Sequence, residues 1–228
     1  MSVLRMRAMV IGFPKSGTTT IHLACRRRKL RSAHWKTPDG YCGQLIYESF
    51  QAGRDPLEKL AEYDILSQAD VCLPGVANYW PNLDFEVLSA IRQYHPSCVF
   101  ILNRRDPRRI IRSISRWGTM RRRFTRSEII GLPKDVGGKD DELQVWIEGH
   151  YAACAARFAQ DPYFLDLDIE SPDAQERLSA VLGVELRWWG VANETEAVQA
   201  ARRAKQAQVA TERASAAANG QPTSVDAG

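Results

Sequence analysis

From residue 4 to residue 30 the chain runs LRMRAMVIGFPKSGTTTIHLACRRRKL. Leu4–Ile11 is predicted to form a short apolar strand that stops at the breaker cluster Gly12-Phe13-Pro14. Thr18–Leu30 is predicted to form a helix, with apolar residues at helical spacing and a basic last turn that suits the helix dipole. A loop between a strand and a helix brings backbone amides and the positive end of the helix dipole together. This stretch therefore predicts an anion-binding site.

Strand and helix patterns alternate along the rest of the chain. Cys98–Leu102 is a run of apolar residues, which is typical of a strand buried on both faces. The other predicted strands are Ser32–Trp35, Ile65–Leu73 and Tyr163–Leu167, and the other predicted helices are Leu45–Phe50, Leu57–Tyr63, Leu83–Tyr94 (entered through Asn82), Pro107–Trp117, Asp141–Ala159 and Ala174–Leu182. This alternation predicts an α/β fold with a central parallel sheet flanked by helices.

The composition is that of an ordinary globular domain. The chain has 228 residues, of which 44% are hydrophobic and 25% charged, and these fractions exclude disorder throughout, a collagen and a disulfide scaffold. We predict one domain over residues 1–193 and an alanine-rich polar tail over residues 194–228, partly helical and then disordered. No apolar run reaches the length of about 20 residues that spans a bilayer, so no membrane span is expected.

The N-terminus and the cysteines indicate a cytoplasmic protein. Met1–Arg7 carries two arginines within its candidate hydrophobic stretch, so no signal peptide is predicted. The five cysteines are odd in number and form no CxxC pair, which favours a reducing compartment. The four histidines are scattered and have no cysteine ligand nearby, so no metal site is expected.

Positive charge is concentrated between Arg104 and Arg126. That segment holds ten arginines and a single acid, Asp106, while the whole chain has a net charge of +4. Such clustering indicates an anionic partner, either nucleic acid, a phosphate-rich ligand or an acidic surface. Charge alone favours a plain solvated helix face instead, so the motifs have to decide between these interpretations.

The loop almost matches the phosphate-loop pattern GxxxxGK[ST]. Gly12, Gly17 and Thr19 have the required spacing, but Thr18 replaces the lysine that would contact the β- and γ-phosphates. A lysine is present inside the loop instead, at Lys15. An enzyme that transfers a phosphoryl group would lose its main positive charge on that group, so ordinary ATP or GTP chemistry is disfavoured.

The sequence GFPKSGTTT resembles the 5′-phosphosulfate loop of the sulfotransferases that use 3′-phosphoadenosine 5′-phosphosulfate (PAPS). The resemblance implies that residues of this loop bind the 5′ side of the nucleotide, with the lysine at the bridging oxygen. The implied binding residues are Pro14, Lys15, Ser16, Gly17, Thr18 and Thr19.

A second motif supports the same resemblance. The strand Cys98–Leu102 continues into NRRDPRRIIRS, and in sulfotransferases the matching strand ends in an arginine that binds the 3′-phosphate together with a serine eight residues later. Arg105 and Ser113 have that spacing, and Pro107 between them also matches. An arginine offers a planar fork of donors to phosphate oxygens. The resemblance implies the P-loop nucleotide hydrolase-like sulfotransferase fold.

The resemblance covers roughly residues 4–193, and the short length looks more like the bacterial members of the family. The segment RKGxxGxWK, present near the C-terminus of the animal cytosolic enzymes, is absent from this sequence, and Trp188-Trp189-Gly190-Val191-Ala192-Asn193 lies near its place.

Sulfuryl transfer needs charge stabilisation at the leaving oxygen and a base for the acceptor hydroxyl or amine. Lys15 is the candidate for the first role. His34, at the end of the predicted second strand, is the first candidate for the base, with Glu48, Asp39 and Asp70 as the alternatives. The expected acceptor is a small molecule or a glycan, and no metal is required.

Two other functions stay open at this point. One is a small-molecule kinase with a degenerate phosphate loop, which Thr18 disfavours. The other is a nucleic-acid-binding protein that uses the Arg104–Arg126 cluster, which the small number of aromatic residues interleaved with those arginines disfavours.

Overall fold

The computed structural model describes residues 6–190. The strands in this part of the chain are β1 (Ala8–Val10), β2 (Ser32–His34), β3 (Lys36–Thr37), β4 (Gly40–Tyr41), β5 (Ile65–Gln68), β6 (Val71–Leu73), β7 (Ala77–Tyr79), β8 (Val99–Arg104) and β9 (Phe164–Asp168). The helices are α1 (Thr18–Arg27), α2 (Cys42–Gln51), α3 (Phe85–Tyr94), α4 (Pro107–Arg116), α5 (Met120–Thr125), α6 (Asp140–Arg157) and α7 (Ala174–Leu182), with a 3₁₀ turn at Glu58–Leu60.

The described residues form one large sheet in the order β4-β3-β2-β5-β1-β8-β9. Its five central strands, β2, β5, β1, β8 and β9, pair in parallel, and β3 and β4 extend one edge in antiparallel pairing. The strands β6 and β7 form a separate antiparallel hairpin. The predicted α/β fold with a central parallel sheet flanked by helices is therefore confirmed.

Helices cover both faces of the sheet because successive side chains of a strand point to opposite sides. In β8, Ile101 packs with α1 and α7 on one face, whereas Phe100 and Leu102 pack with α2, α3 and α6 on the other. A third apolar cluster joins α4, α5 and α6 around Trp80 and Phe13. Phe13 belongs to the loop after β1, so this cluster supports that loop directly.

Several predicted elements are confirmed. The helix α7 has the predicted bounds, and α4 begins at Pro107, whose missing N–H costs nothing in the first turn. Asp106 caps α4 by accepting a hydrogen bond from the backbone N–H of Arg108 at 2.8 Å. The run Cys98–Leu102 lies in or next to β8, and its residues 100–102 are buried on both faces.

Two predictions of local structure are wrong, and a third is refined. Leu57–Tyr63 contains only the three-residue 3₁₀ turn. Ile65–Leu73, predicted as one extended segment, forms two strands, β5 and β6, which belong to different sheets. The helix α3 is capped by Asp84, whose carboxylate accepts from two first-turn amides, and not entered through Asn82. Asn82 is buried and donates a hydrogen bond to the carbonyl of Gly12 at 2.8 Å, so tertiary contact overrides its local capping tendency.

The predicted domain boundary at residue 193, the predicted tail over residues 194–228 and the first residues of the predicted strand Leu4–Ile11 lie outside the described residues. No helix within residues 6–190 is long and apolar enough to cross a membrane. All five cysteines are buried and unpaired in this structure.

Candidate functional site

The sheet reverses its direction of growth between β1 and β8. From β1 the chain crosses to β2 on one side, and from β8 it crosses to β9 on the other side. In an open parallel sheet, such a reversal leaves a crevice outside the carboxyl ends of the two strands, where ligands bind. The loop of residues 12–17 follows β1, and Arg105 follows β8, so the two predicted anion-binding motifs border this crevice.

Two residues of the loop have a positive φ. Gly17 has a φ of 84° and precedes α1, and a Cβ at this position would lie 1.8 Å from Cδ1 of Ile169. A side chain at this position would be strained by the positive φ and would have to displace the end of Ile169. Glycine avoids both effects, and it brings no side chain that could cap the first turn of α1. The first turn of α1 carries no acidic residue. The N-terminus of α1 thus keeps its positive field and its amide donors, as an anion site requires.

Asn103, the fifth residue of β8, holds the loop in place. Its buried Oδ1 accepts a hydrogen bond from the backbone N–H of Gly12 at 3.1 Å, and its Nδ2 donates to the carbonyl of Ser16 at 2.8 Å and to Ser16 Oγ at 2.6 Å. The Ser16 hydroxyl donates in turn to the carbonyl of Phe13 at 2.5 Å. The predicted site residue Ser16 thus uses its side chain inside the protein, which leaves its backbone amide as the group that can face an anion.

Lys15 has the second positive φ, 71°, and its ammonium lies 3.5 Å from the centre of the Trp117 ring. Arg105 donates a hydrogen bond from Nη1 to the carbonyl of Lys15 at 3.1 Å. Burial of the ammonium and, second, the charge of Arg105 lower the pKa of Lys15 to about 8. The structure therefore brings the first and second motifs into contact around one weakly solvated lysine.

The guanidinium groups of Arg105 and Arg109 share one carboxylate. Arg105 Nε lies 3.1 Å and Arg109 Nη1 lies 2.8 Å from Oε1 of Glu170. Ser113, the predicted partner of Arg105, is half-buried on α4, one helical turn after Arg109. Residues four apart lie on the same helix face, so Ser113 shares a face of α4 with Arg109, which binds the same carboxylate as Arg105.

Thr18 connects the loop to a buried carboxyl group. Its hydroxyl donates to Gln68 Oε1 at 3.0 Å, and Gln68 Nε2 donates to Asp70 Oδ2 at 3.0 Å. Asp70 is only 4% exposed, and its burial raises the pKa of its carboxyl to about 7. A carboxyl with this pKa can accept a proton near neutral pH.

His34 ends β2, next to Gln68 of β5 in the sheet register. Its Nδ1 lies 3.2 Å from Ser67 Oγ, and its ring stacks on that of His22. Ser67 gives its single hydroxyl proton to the carbonyl of Ala33 at 2.7 Å, so it can only accept from His34. His34 therefore carries its proton on Nδ1 and has a lone pair on Nε2. Burial and, second, the nearby His22 lower the pKa of His34 to about 4.

The other two candidate bases have different surroundings. Glu48 lies on α2, where Lys59 contacts its carboxylate at 2.6 Å, and the hydrogen bonds from Lys59 and Gln44 lower its pKa. Glu48 also lines a surface cavity of about 310 Å³ with Tyr47 and Tyr79. Asp39 is exposed in the turn between β3 and β4. Neither Glu48 nor Asp39 belongs to the chain of hydrogen bonds that runs from Thr18 through Gln68 to Asp70.

The arginine cluster is divided between paired and exposed side chains. Arg104 contacts Asp166, Arg121 contacts Asp140, and Arg123 donates to the carbonyl of Cys72. Arg108 and Arg112 are exposed on one face of α4. Part of the cluster therefore holds the fold together, and part adds positive charge beside the crevice.

Four residues of the site have no role in the sequence motifs: Asn103, Gln68, Trp117 and Glu170. Asn103 and Glu170 follow or end parallel strands, so their position at the crevice could have been inferred from strand order. Gln68 also ends a parallel strand, β5, but the predicted strand continues to Leu73, so the sequence did not mark Gln68 as a strand end. Trp117 contacts the loop only through the tertiary fold, and no spacing in the sequence indicates this contact.

Within the described residues no group of three or more histidine, cysteine, aspartate or glutamate side chains is placed to hold a metal ion. The expectation of a metal-free reaction stays a prediction. No protein-family model matches the chain, and no curated protein matches it significantly in sequence.

Proposed function

We propose that this protein is a sulfotransferase that transfers the sulfuryl group of PAPS to a hydroxyl or amine of a small molecule or glycan, with the P-loop-like sulfotransferase fold. The observation that carries the proposal is the contact between the two anion-binding motifs. Arg105 and Lys15 lie 90 positions apart in the sequence and are joined by a hydrogen bond of 3.1 Å. A nucleotide with phosphates on both its 3′ and 5′ sides needs two such sites next to each other.

The donor groups of the site fit that nucleotide. The loop amides and the N-terminus of α1 suit a 5′-phosphate, and Arg105 with Ser113 suits the 3′-phosphate. Lys15 is a point charge at the loop, where the oxygen between phosphorus and sulfur would lie. PAPS supplies the sulfuryl group when bound.

The residues then have distinct tasks in an in-line displacement. The acceptor oxygen forms a bond to sulfur while the bond from sulfur to the bridging oxygen breaks, and the acceptor's proton passes to a base of the protein. Lys15 stabilises the negative charge that develops on the bridging oxygen. His34 is the proposed base because its Nε2 has a free lone pair at neutral pH, and Asp70 is the alternative because its pKa is about 7.

The test is a calorimetric titration of the full chain with PAP, followed by incubation with PAPS and a panel of acceptors. We expect saturable PAP binding and a mass gain equal to SO₃ on at least one acceptor. Retention of random DNA that weakens with salt, without PAP binding, would contradict the proposal and favour the nucleic-acid-binding alternative.

A matched pair of variants gives the titration a control. Arg105→Ala removes a charge in the proposed 3′-phosphate site, and Arg187→Ala removes an equal charge at an exposed position paired with Glu185. We expect PAP affinity to fall for the first variant and to stay unchanged for the second. An equal effect of both would mean that only overall charge matters.

A further inference from the structure

The pair of arginines at the start of α4 is bridged by an internal anion. Oε1 of Glu170 lies 3.1 Å from Arg105 Nε and 2.8 Å from Arg109 Nη1. A single carboxylate oxygen between two guanidinium groups has the charge arrangement of a phosphate oxygen in a phosphate site. We infer that Glu170 occupies the place of the ligand's second phosphate and that Arg109 is a further ligand of this phosphate.

The backbone around Glu170 is anchored, whereas its side chain is accessible. The N–H of Ile169 donates to the carbonyl of Arg104 at 3.0 Å, and the N–H of Glu170 donates to Asp168 Oδ1 at 3.0 Å. The side chain of Glu170 is 30% exposed. A rotation of this side chain toward solvent therefore frees both arginines without any change in the sheet.

The charges explain why a phosphate displaces the carboxylate. Glu170 brings one negative charge to two arginines, whereas a phosphomonoester brings between about 1.5 and 2 at neutral pH. A dianion can neutralise both guanidinium groups, and a monoanion cannot. The contact thus makes the site selective for a phosphomonoester over singly charged anions. Only the dianion can form ion pairs with both arginines that replace the two ion pairs lost with Glu170.

This inference deepens the proposed function and rests on it for the identity of the nucleotide. Two probes distinguish a failure of the proposed function from a failure of this inference. PAP tests both proposals, and inorganic phosphate tests only the inference about the arginine pair. Each is titrated into wild type, Glu170→Ala, Arg109→Ala and the double variant that carries both substitutions, with Glu185→Ala as the control. Glu185 is 72% exposed and paired with Arg187 on the surface, so its removal changes the net charge equally.

We expect Glu170→Ala to bind PAP roughly five- to tenfold more tightly than wild type, because no ion pair has to be broken first. AMP affinity should stay within twofold, since AMP lacks the 3′-phosphate. Arg109→Ala should weaken PAP binding roughly tenfold. In the double variant the loss of Glu170 should give a smaller gain than in wild type, because only Arg105 is then freed. Glu185→Ala should behave as wild type.

Unchanged or weaker PAP binding by folded Glu170→Ala would overturn the inference, since the carboxylate would then support the arginines instead of competing for them. If wild type binds no PAP, the proposed function fails, and phosphate decides the inference alone. Tighter phosphate binding by Glu170→Ala, with a smaller gain in the double variant, would still support it, and equal phosphate binding by wild type and Glu170→Ala would contradict it.

Discussion

Lys15 combines a left-handed backbone conformation with an ammonium group that is partly removed from solvent. Its φ of 71° lies in the left-handed region, which costs a residue with a side chain about 1–2 kcal/mol. Trp117 covers one side of its ammonium, and burial together with Arg105 lowers its pKa to about 8. Backbone strain kept beside a functional group is typical of sites that need one fixed geometry.

The first prediction concerns the role of this charge. Lys15→Ala should reduce kcat roughly 10²- to 10³-fold while PAP affinity falls much less, because the charge matters most when the bridging oxygen becomes negative. Steady-state kinetics and a PAP titration of the same variant check this. Lys36→Ala, at an exposed position on β3, is the control and should leave both quantities unchanged. A variant that loses affinity and kcat to the same extent would give Lys15 a binding role instead.

The second prediction separates the candidate bases by the pH dependence of kcat/KM, which reports the free enzyme. A base works only when deprotonated, so activity rises with pH through its pKa. His34 as the base places this rise near pH 4, and Asp70 as the base places it near pH 7. Lys15 must be protonated, so activity should fall above about pH 8 in either case. Because His34 is the proposed base, we expect kcat/KM to stay nearly constant between about pH 4 and about pH 8.

The variants His34→Gln and Asp70→Asn show which residue causes the rise of activity with pH. The variant that removes the true base should lower kcat/KM at all pH values and should no longer show this rise, while its PAP affinity stays nearly intact. A narrow maximum near pH 7 to 8 in wild type, abolished by Asp70→Asn, would transfer the role from His34 to Asp70.

At the scale of elements, β8 and the loop after β1 are joined through one side chain. Asn103 satisfies three polar groups of the loop, at Gly12 and Ser16, and all of them are buried. The same strand leads into Arg105 and α4. One short stretch, from Asn103 to Arg105, therefore positions both the loop and the proposed second anion site.

The third prediction tests this connection. Asn103→Ala should lower the free energy of unfolding by about 3 kcal/mol, because it leaves buried donors and acceptors without partners. Urea denaturation measures the loss, and PAP affinity should fall as well because the loop is no longer held. Gln93→Ala is the matched control: Gln93 carries the same amide group at an exposed position on α3 and should change stability by less than about 1 kcal/mol. Equal effects of the two substitutions would contradict the assigned role.

At the scale of the whole molecule, the proposed choice of nucleotide depends on both motifs at once. The strand order brings β1 and β8 next to each other. In the proposed function the loop binds the 5′ side of the nucleotide, and Arg105 with the start of α4 binds its 3′ side. A nucleotide that carries all its phosphates on the 5′ side can use only the first of these sites.

The fourth prediction follows from that geometry. PAP should bind at least tenfold more tightly than AMP, ADP or ATP, because each lost charge-assisted hydrogen bond costs about 1.5–3 kcal/mol. Arg105→Ala should remove most of the difference between PAP and AMP while leaving AMP affinity nearly unchanged. Competition titrations at one fixed salt concentration measure this. Equal affinity for PAP and ATP in wild type would argue against the family resemblance itself.

The sequence alone determined the elements whose signals are local. The strand, loop and helix around residues 8–27, the proline at the start of α4 and the bounds of α7 all follow from apolar spacing, capping residues and backbone preferences within one or two turns. The same local patterns predicted the loop as an anion site, whereas the resemblance to the sulfotransferases implied Arg105 as the second one. They did not separate the two strands within residues 65–73, because an apolar run carries no signal of which sheet it joins.

Only the tertiary structure decided how these parts meet and how their charges behave. Asn103 contacts Gly12 across 91 positions, and Glu170 contacts Arg105 across 65, so no spacing in the sequence encodes either contact. The pKa values of Lys15, His34 and Asp70 follow from burial, which depends on how distant elements pack over each group. Composition and periodicity thus specify which groups are present and on which elements, whereas strand order and packing decide which of them share one crevice.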